Sequence, residues 1–447
     1  FKIKIMKYSK IPFVRKLYNK IKAQDSKIDL LEHEIMQVAK ENLNLRLRVK
    51  KFNNEKIKVV FICNRPTVWS SLNTVYESMK NDNDFDIKMV IVPSKKQIGT
   101  DAAGYNHNVF ESEGVEEYFK NYKPIVGYDV DKKEWINLQR LNPDYVFLQQ
   151  PYNIKLPDEL KSWNISKYAK LCYVAYYAFF QNNETNFIND DCTPIDYLKN
   201  LSFYFAQNDE DYHFITNKLK INGINTVDVI KSGFPRYDNE NINKRSDSDL
   251  ITWKSGCKPA FKVLWTPRWC TNENNCHFFD YKDKILNFFE NNVEYDLMFR
   301  PHPQAFINWI ATGMMSEAEI RNLKKRFEIS LNMTLDEEFE YLPNFYASDC
   351  LITDTSSIVD DYFLTGKPII YCHKENSLNS FAKNKGYTKG FYWVENWNEL
   401  ESTIKMLKNG NDPLKKVRQE LIQKCYYRPD GGSGVFIKNC IKEDFYK

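Results

Sequence analysis

The first residues suited to chemistry follow an apolar, strand-like segment at 350–353. They begin with Asp354-Thr-Ser-Ser, run into a helix-like segment, and are followed by Gly366-Lys-Pro and a second apolar run. Hydroxyl groups beside the free N–H groups of a helix start form an anion site, because several donors and the helix dipole point at one place. This stretch therefore predicts a phosphate site. The competing interpretation is that Asp354 or Thr355 only caps the helix.

A second group, Arg300-Pro-His-Pro, follows the strand-like segment 295–299. A histidine fixed between two prolines loses little conformational freedom when it binds, and an arginine can grip a phosphate through two parallel hydrogen bonds. Arg300 and His302 are thus predicted phosphate ligands. The alternative is a structural histidine at the end of a strand.

Two shorter elements also combine proline with arginine. Trp265-Thr-Pro-Arg268 leaves another apolar run, and Ser232-Gly-Phe-Pro-Arg236-Tyr-Asp forms a turn just before a charged, polar stretch at 239–250. Arg268 is therefore placed, like Arg300, directly after a predicted strand.

The elements that position these groups are short β-rich runs alternating with longer helical stretches from residue 56 onward. This alternation predicts parallel sheets with crossover helices, and ligands in such folds bind at the carboxyl ends of the strands. We predict an α/β fold of two doubly wound, Rossmann-like halves that meet near residue 240. The predicted ranges are 56–238 for the first half, 250–425 for the second and 426–447 for a C-terminal tail. The predicted strands are 58–63, 87–92, 145–149, 171–175 and 203–206, then 262–265, 296–299, 350–353 and 368–371.

Composition supports this size and class. The chain has 447 residues, 43% hydrophobic and 27% charged, which suffices for two large cores. The formal net charge is +4, yet residues 1–22 hold eight basic and no acidic side chains, so the rest is slightly acidic and no nucleic-acid partner is expected. No apolar run reaches the length of a membrane span, and the start has neither Met nor a secretory signal. We expect a cytosolic protein that has lost upstream sequence.

The amino-terminal region has two parts. The basic, partly apolar segment 1–22 suits an anionic membrane surface; a solvated tail or a nucleic-acid arm is the alternative. Residues 23–50 carry an apolar heptad pattern that predicts a parallel coiled coil and hence a homodimer or higher oligomer, in which a buried Asn42 would fix the register. Its a positions are Ile21, Ile28, Ile35, Asn42 and Val49, and its d positions are Gln24, Leu31, Val38 and Leu45. The charges favour this register, with Lys27 facing Glu32 and Glu41 facing Arg46 across the seam. The alternative is a lone amphipathic helix packed on its own domain.

Taken in order, these elements resemble the CDP-glycerol glycerophosphotransferase family of teichoic-acid and capsule synthesis. The resemblance covers about 232–371, with a weaker echo back to residue 56. It rests on the G-F-P-R-Y-D turn, the strand–Pro-Arg element, the R-P-H-P box and the I-T-D-T-S-S-I block that precedes G-K-P-I-I-Y. Members have a GT-B-like fold, hold the nucleotide donor in the carboxyl-terminal half, and are peripheral on the inner membrane face.

The resemblance implies a bacterial transferase at the cytoplasmic face of the inner membrane. It would move a polyol phosphate from a CDP-linked donor to a hydroxyl of a lipid-linked glycan acceptor, releasing CMP. His302 and Arg300 would contact the donor pyrophosphate, Ser356 and Ser357 a phosphate oxygen, and Arg268 the same region. The full predicted donor set is Arg268, Arg300, His302, Asp354, Thr355, Ser356, Ser357 and Lys367.

One departure concerns the general base. Family polymerases and primases carry a W-H-G-T-P-x-K box whose histidine is taken as the base, whereas residues 170–180 here have aromatic residues and no histidine. Aromatic residues suit a sugar ring or simply a hydrophobic core. As replacement bases we rank His107 first and Asp101 second, both in a predicted loop after the second strand. Further catalytic or acceptor-side candidates are Asp191, His213, His302, Gln150, Tyr152 and Tyr176.

No metal or other cofactor is expected besides the activated donor, because the D-x-D pairs lie in surface-like sequence and cationic side chains can neutralise the diphosphate. Cys270, Cys276 and His277 lack the C-x-x-C spacing typical of zinc sites. The cysteines in apolar runs are expected to be buried thiols.

Two other functions stay open on sequence alone. A GT-B glycosyltransferase would use the same phosphate contacts to hold a nucleotide sugar and extend a capsule or lipopolysaccharide glycan. A membrane-tethered scaffold with an inactive transferase-like body is supported only by the missing histidine box.

Overall fold

The computed structural model describes residues 12–100, 106–111, 114–177, 193–238, 252–256, 258–270, 272–338, 341–356, 358–377 and 381–447. Each half of the chain is built around a parallel sheet with helices on its faces. No helix of this described part is long and apolar enough to cross a membrane.

The first half contains a seven-stranded parallel sheet. Its strands are β1 (Ile57–Cys63), β2 (Phe85–Ile91), β5 (Ile125–Val126), β8 (Tyr145–Leu148), β9 (Lys170–Val174), β10 (Phe203–Ala206) and β11 (Asp228–Lys231). Their order is β11-β10-β9-β8-β1-β2-β5. Two antiparallel hairpins are attached, β3 (Ser94–Thr100) with β4 (Asn106–Glu111) and β6 (Tyr128–Asp129) with β7 (Glu134–Trp135).

The second half contains a six-stranded parallel sheet. Its strands are β12 (Phe261–Thr266), β13 (Tyr295–Phe299), β14 (Met333–Leu335), β15 (Cys350–Thr353), β16 (Ile369–Cys372) and β17 (Tyr392–Val394). Their order is β14-β13-β12-β15-β16-β17.

In both sheets the order in which strands are added reverses beside the first strand, while all strands stay parallel. The chain winds outward from β1 through β2 to β5, then returns to the other side of β1 with β8; β12 and β15 are related in the same way. In open α/β sheets this reversal is the switch point, where a crevice opens at the carboxyl ends of the two strands. Each half therefore has its own ligand crevice.

The described helices lie mainly between the strands. They are α1 (Pro12–Phe52), α2 (Asn73–Lys80), α3 (Val115–Phe119), α4 (Ser162–Ile165), α5 (Ile195–Leu198), α6 (Asp209–Ile221), α7 (Phe278–Glu290), α8 (Ala305–Ala311), α9 (Glu317–Ile329), α10 (Leu342–Ala347), α11 (Ile358–Phe363), α12 (Trp397–Lys408), α13 (Lys415–Cys425) and α14 (Ser433–Tyr446).

The last helix corrects the predicted C-terminal tail. α14 leaves the second half and packs on α2 of the first, where Lys438 pairs with Asp82 at 2.9 Å and Asp444 pairs with Lys170 at 2.6 Å. At the junction Gly233 has a φ of +83°, and a Cβ there would lie 2.5 Å from the Ser433 hydroxyl, so only glycine fits. The two halves are thus tied together at both the linker and the chain end.

The predicted loop after the second strand is also corrected. Strands Ser94–Thr100 and Asn106–Glu111 pair antiparallel, with a register shift between Gln97 and Gly99. The segment is polar and lacks the long apolar run used to predict strands, yet a ladder of backbone hydrogen bonds needs no apolar side chains. The predicted strands of the two sheets are confirmed to within one or two residues at each end.

Helix α1 uses one face to contact the body of the protein. Leu43 and Leu47 are buried, and the Lys50 ammonium lies 2.6 Å from the buried carboxylate of Asp144. Apolar residues on a different face stay exposed, namely Leu31, Ile35, Val38, Leu45 and Val49. These five occupy a and d positions of the predicted heptad, so the part of the seam whose side chains are described is not used by packing within the chain.

Candidate functional site

The second sheet forms a polar floor at its switch point. The hydroxyls of Thr266 and Thr353, the last residues of β12 and β15, lie 3.0 Å apart. Immediately beyond them Asp354 is fully buried, and its Oδ1 accepts the backbone N–H of Arg268 at 2.7 Å. This bond fastens the Thr-Pro-Arg turn after β12 to the turn after β15.

His277 completes the floor. Its backbone N–H and its Nδ1 lie 3.0 and 2.7 Å from Oδ2 of Asp354, and its Nε2 accepts the indole N–H of Trp265 at 2.7 Å. Because Nε2 accepts, the ring is neutral and Nδ1 carries the proton that it donates to Asp354. Asp354 is predicted to bind phosphate, but in the structure its carboxylate holds the Arg268 turn and His277 in place.

Arg268 projects from this floor with its guanidinium held from two sides. It lies 2.7 Å from the Glu273 carboxylate and donates to the backbone carbonyl of Thr355 at 3.2 Å. Its side chain is 19% exposed, so part of the guanidinium still reaches solvent. A planar cation fixed in this way is suited to bind phosphate oxygens.

His302 lies next to Arg268 and is partly accessible to solvent. Its ring stacks on Trp269 at 5.6 Å between centroids, and its Nδ1 accepts the backbone N–H of Gln304 at 3.2 Å. Partial burial and the positive charge of Arg268 lower the pKa of His302 below its usual value. The ring is therefore neutral near pH 7, with Nε2–H available as a donor.

The third side of the crevice is the start of α11. The Thr355 hydroxyl lies 2.7 Å from that of Tyr371, and the Ser356 hydroxyl accepts the backbone N–H of Ile358 at 3.4 Å. Ser356 thus caps the start of α11, whereas the sequence analysis predicts it as a phosphate ligand and names Asp354 or Thr355 as the alternative cap. Ser357 lies outside the described residues.

Two further predicted phosphate ligands have bonding partners within the protein. The guanidinium of Arg300 bonds the Asp336 carboxylate and the backbone carbonyl of Glu338. The ammonium of Lys367 donates to three backbone carbonyls at the end of α10, at 2.7 to 2.8 Å. Both cations are engaged within the protein, so we interpret them as positioning residues.

The Gly-Phe-Pro-Arg turn has a structural connection to this half. Arg236 pairs with Asp361 of α11 at 2.7 Å, and the Tyr341 ring lies 5.5 Å from both the Arg236 and the Arg300 guanidinium carbons. Burial raises the pKa of Asp361, and Arg236 opposes that shift. The turn thereby links the inter-half junction to the helix that borders the phosphate crevice.

The predicted acceptor side lies at the first switch point. Gln150 is buried just after β8, and the Tyr152 and Tyr176 hydroxyls are 2.9 Å apart. Of the aromatic run after Lys170, Tyr173 is core, and 178–180 lie outside the described residues. His107 has its backbone in β4 while its side chain is not described; Asp101 and Asp191 lie wholly outside the described residues. His213 is exposed on α6, on the first half.

Glu273 and the organising role of His277 are absent from the sequence predictions. Glu273 does not lie next to a predicted strand end or helix start, so no sequence pattern marks it. His277 is considered only as a possible metal ligand together with Cys270 and Cys276. In the structure both thiols are buried, and no group of three or more His, Cys, Asp or Glu in the described part could hold a metal ion.

Comparison with solved structures places the chain among proteins of two Rossmann-like halves. The wall teichoic acid polymerase TagF superposes with a TM-score of 0.51 at 15% identity, covering 93% of this chain and 98% of that one. A UDP-GlcNAc 2-epimerase from Neisseria meningitidis, bound to UDP-GlcNAc, gives 0.54 at 13% identity and covers 87% of this chain and all of its own. The fold and the switch-point crevice define a GT-B-like protein.

Sequence comparison identifies the family. Residues 199–434, more than half of the chain, match the profile of the CDP-Glycerol:Poly(glycerophosphate) glycerophosphotransferases, and the chain belongs to this family. It is also similar to the minor teichoic acid biosynthesis protein GgaB of Bacillus subtilis (strain 168), at 24% identity over 343 residues, or 71% of this chain. The chain spans about a third of the length of GgaB. The resemblance stated from the motifs is confirmed.

Proposed function

We propose that the protein transfers glycerol phosphate, or a related polyol phosphate, from a CDP-linked donor to a hydroxyl of a cell-envelope polymer and releases CMP. The observation that carries this proposal is the cluster of Arg268, His302 and the start of α11 at the second switch point, within the segment that matches the family. Rossmann-like sheets bind nucleotides at this position.

The chemistry asked of these residues is electrostatic. An acceptor oxygen attacks the distal phosphorus of the donor, a new P–O bond forms, and the bond to the bridging oxygen breaks so that CMP takes the electron pair. The main demand is to neutralise charge that develops on the leaving phosphate. Arg268 supplies a fixed positive charge, and His302 supplies a hydrogen-bond donor beside it. The proton of the attacking hydroxyl needs a base, for which His107 and Asp101 stay our proposals.

The proposed function is tested by product analysis. The protein is incubated with CDP-glycerol and a short oligo(glycerol phosphate), CMP is measured, and the polymer is examined by phosphorus NMR. We expect CMP release that depends on the acceptor, together with one new phosphodiester signal per CMP. Release of CMP without a new phosphodiester, or transfer only from a UDP-linked sugar, would refute the proposal.

We further propose that the transferase is a peripheral dimer at an anionic membrane surface, with the exposed heptad seam of α1 covered by a second copy. Support comes from five exposed apolar residues in a and d positions and from the basic residues before them. One predicted charge pair across the seam needs revision. Arg46 bonds the carbonyl of Pro143 and the carboxylate of Asp144 in its own chain, so it is not the partner of Glu41 in a second copy.

Dimerisation is tested with Ile35→Glu and Val38→Glu, which place charges in the seam. Light scattering should show a dimer for the unaltered chain and a monomer for this double variant. Asn44→Glu, at an exposed position outside the seam, is the control and should stay dimeric. Equal masses for all three would refute the proposal.

A further inference from the structure

The first half has a switch point of its own, and its crevice carries positive charge. Arg65 follows β1 and Lys155 follows β8, the two strands between which the sheet reverses. The turns after these strands are held together, since the Gln149 side chain accepts the backbone N–H groups of Asn64 and Arg65 at 2.7 and 2.9 Å. The crevice is therefore pre-formed at the place where α/β sheets bind ligands.

The two cations have no acidic partner among the residues that the structure describes. Within the described part of the chain neither Arg65 nor Lys155 forms an ion pair, and Arg65 is exposed. The Lys155 ammonium instead lies 4.5 Å from the centre of the Tyr152 ring. Burial, and to a lesser extent the charge of Arg65, lower the pKa of Lys155, which is the direction expected for two cations on neighbouring turns. Like charges held together without a counter-ion favour an anionic ligand.

A buried amide is directed into the same place. Gln150 is only 5% exposed, and neither its amide nitrogen nor its oxygen has a hydrogen-bond partner in the described structure. It lines a small cavity together with Tyr152 and Lys155. A buried amide without partners costs free energy unless a ligand or a water completes its hydrogen bonds. Lys155, an amide and a tyrosine thus border one cavity, and Asn64, which also lines it, is followed directly by Arg65.

We propose that Arg65 and Lys155 bind a phosphate of the acceptor polymer, the one adjacent to the hydroxyl that reacts. This inference rests on the proposed function. The donor phosphates have their own ligands on the second sheet, whereas a growing glycerol phosphate chain brings a further anion to the first. Fixing that phosphate orients the terminal hydroxyl towards the donor, and the enzyme selects acceptors that already carry phosphate.

The test compares two acceptors and two variants. The acceptors are a short oligo(glycerol phosphate) and an uncharged oligoglycerol of equal length, each with CDP-glycerol. The variants are Arg65→Gln and Lys155→Gln. Lys167→Gln serves as the control, since Lys167 is an exposed cation of the same half whose ammonium bonds only the nearby Asn164 among described residues. Melting temperatures establish that all variants are folded.

Loss of one charged hydrogen bond should raise the KM for the phosphorylated acceptor about tenfold or more in each variant. The KM for the uncharged acceptor, the Kd for CDP-glycerol and the control should not change. An unchanged KM for the phosphorylated acceptor, an equal rise for both acceptors, or a weaker Kd for CDP-glycerol would overturn the inference while leaving the proposed function intact. If the unaltered protein releases no CMP with either acceptor, the proposed function fails. In that case, calorimetric binding of the phosphorylated oligomer that is lost in both variants would still establish the anion site. If the unaltered protein does not bind this oligomer, the anion site is refuted as well.

Discussion

Asp354 and His277 are joined twice, because the backbone N–H and the ring Nδ1–H of His277 both donate to the same carboxylate oxygen of Asp354. The other oxygen of Asp354 accepts the backbone N–H of Arg268. A single buried carboxylate therefore fixes the segment that presents Arg268, and the cation can face the crevice without reorganisation when a phosphate arrives.

Replacing Asp354 should weaken both stability and donor binding. Asp354→Ala leaves the N–H groups of Arg268 and His277 without an acceptor, which costs about 1–3 kcal/mol for each buried group. The melting temperature and the Kd for CDP-glycerol are measured together. Asp349→Ala is the matched control, since Asp349 precedes β15 as Asp354 follows it and accepts the backbone N–H of Lys262 at 2.7 Å. The control should lose stability but keep its affinity for CDP-glycerol. A loss of affinity in both variants would refute the role of Asp354 in positioning Arg268.

Arg268 should not be replaceable by lysine. Arg268→Lys keeps the charge but loses the planar fork that bonds Glu273 and Thr355, so the Kd for CDP-glycerol should rise about tenfold. Glu273→Gln, which keeps the guanidinium but loosens its hold, should give a smaller rise. Calorimetry measures both. An unchanged Kd in Arg268→Lys would exclude Arg268 from the donor site.

Donor binding should strengthen as the pH falls. The pKa of His302 is lowered in the free protein by burial and by Arg268, so the ring is neutral near pH 7. A bound diphosphate favours the protonated ring, and binding is then coupled to proton uptake as the pH drops towards and below the usual pKa, about 6.5. We expect the Kd for CDP-glycerol to fall between pH 8 and 6, and this dependence to disappear in His302→Gln. In His213→Gln, which alters an exposed histidine on α6, the dependence should persist; its persistence in His302→Gln would refute the role of His302.

Lys367 should matter for stability and not for the donor. Its ammonium bonds three carbonyls at the end of α10, and Lys367→Met leaves them without that partner. The free energy of unfolding should fall by about 1–3 kcal/mol, as measured by urea titration. The Kd for CDP-glycerol should stay the same. A higher Kd with unchanged stability would instead show that Lys367 binds the donor phosphate.

The sequence predicts most strands and both sheets because the central strands are apolar runs with defined ends. In the two sheets it misses β5, β11, β14 and β17, which have two to four residues and are only partly buried, so no long apolar run marks them. The sequence also predicts the same phosphate-binding role for Arg268 and Arg300, since each follows a strand and has a proline next to it. The two guanidinium groups differ in their carboxylate partners, Glu273 for Arg268 and Asp336 for Arg300, and the short motifs around the arginines carry no information about these contacts.

The proposed donor site is best tested by calorimetric titration of the unaltered protein and of Arg268→Ala with CDP-glycerol and with UDP-GlcNAc. We expect CDP-glycerol to bind the unaltered protein, Arg268→Ala to lose most of this affinity, and UDP-GlcNAc to bind more weakly. Binding of UDP-GlcNAc with no response to CDP-glycerol would refute the proposed function and identify the protein as a user of nucleotide sugars.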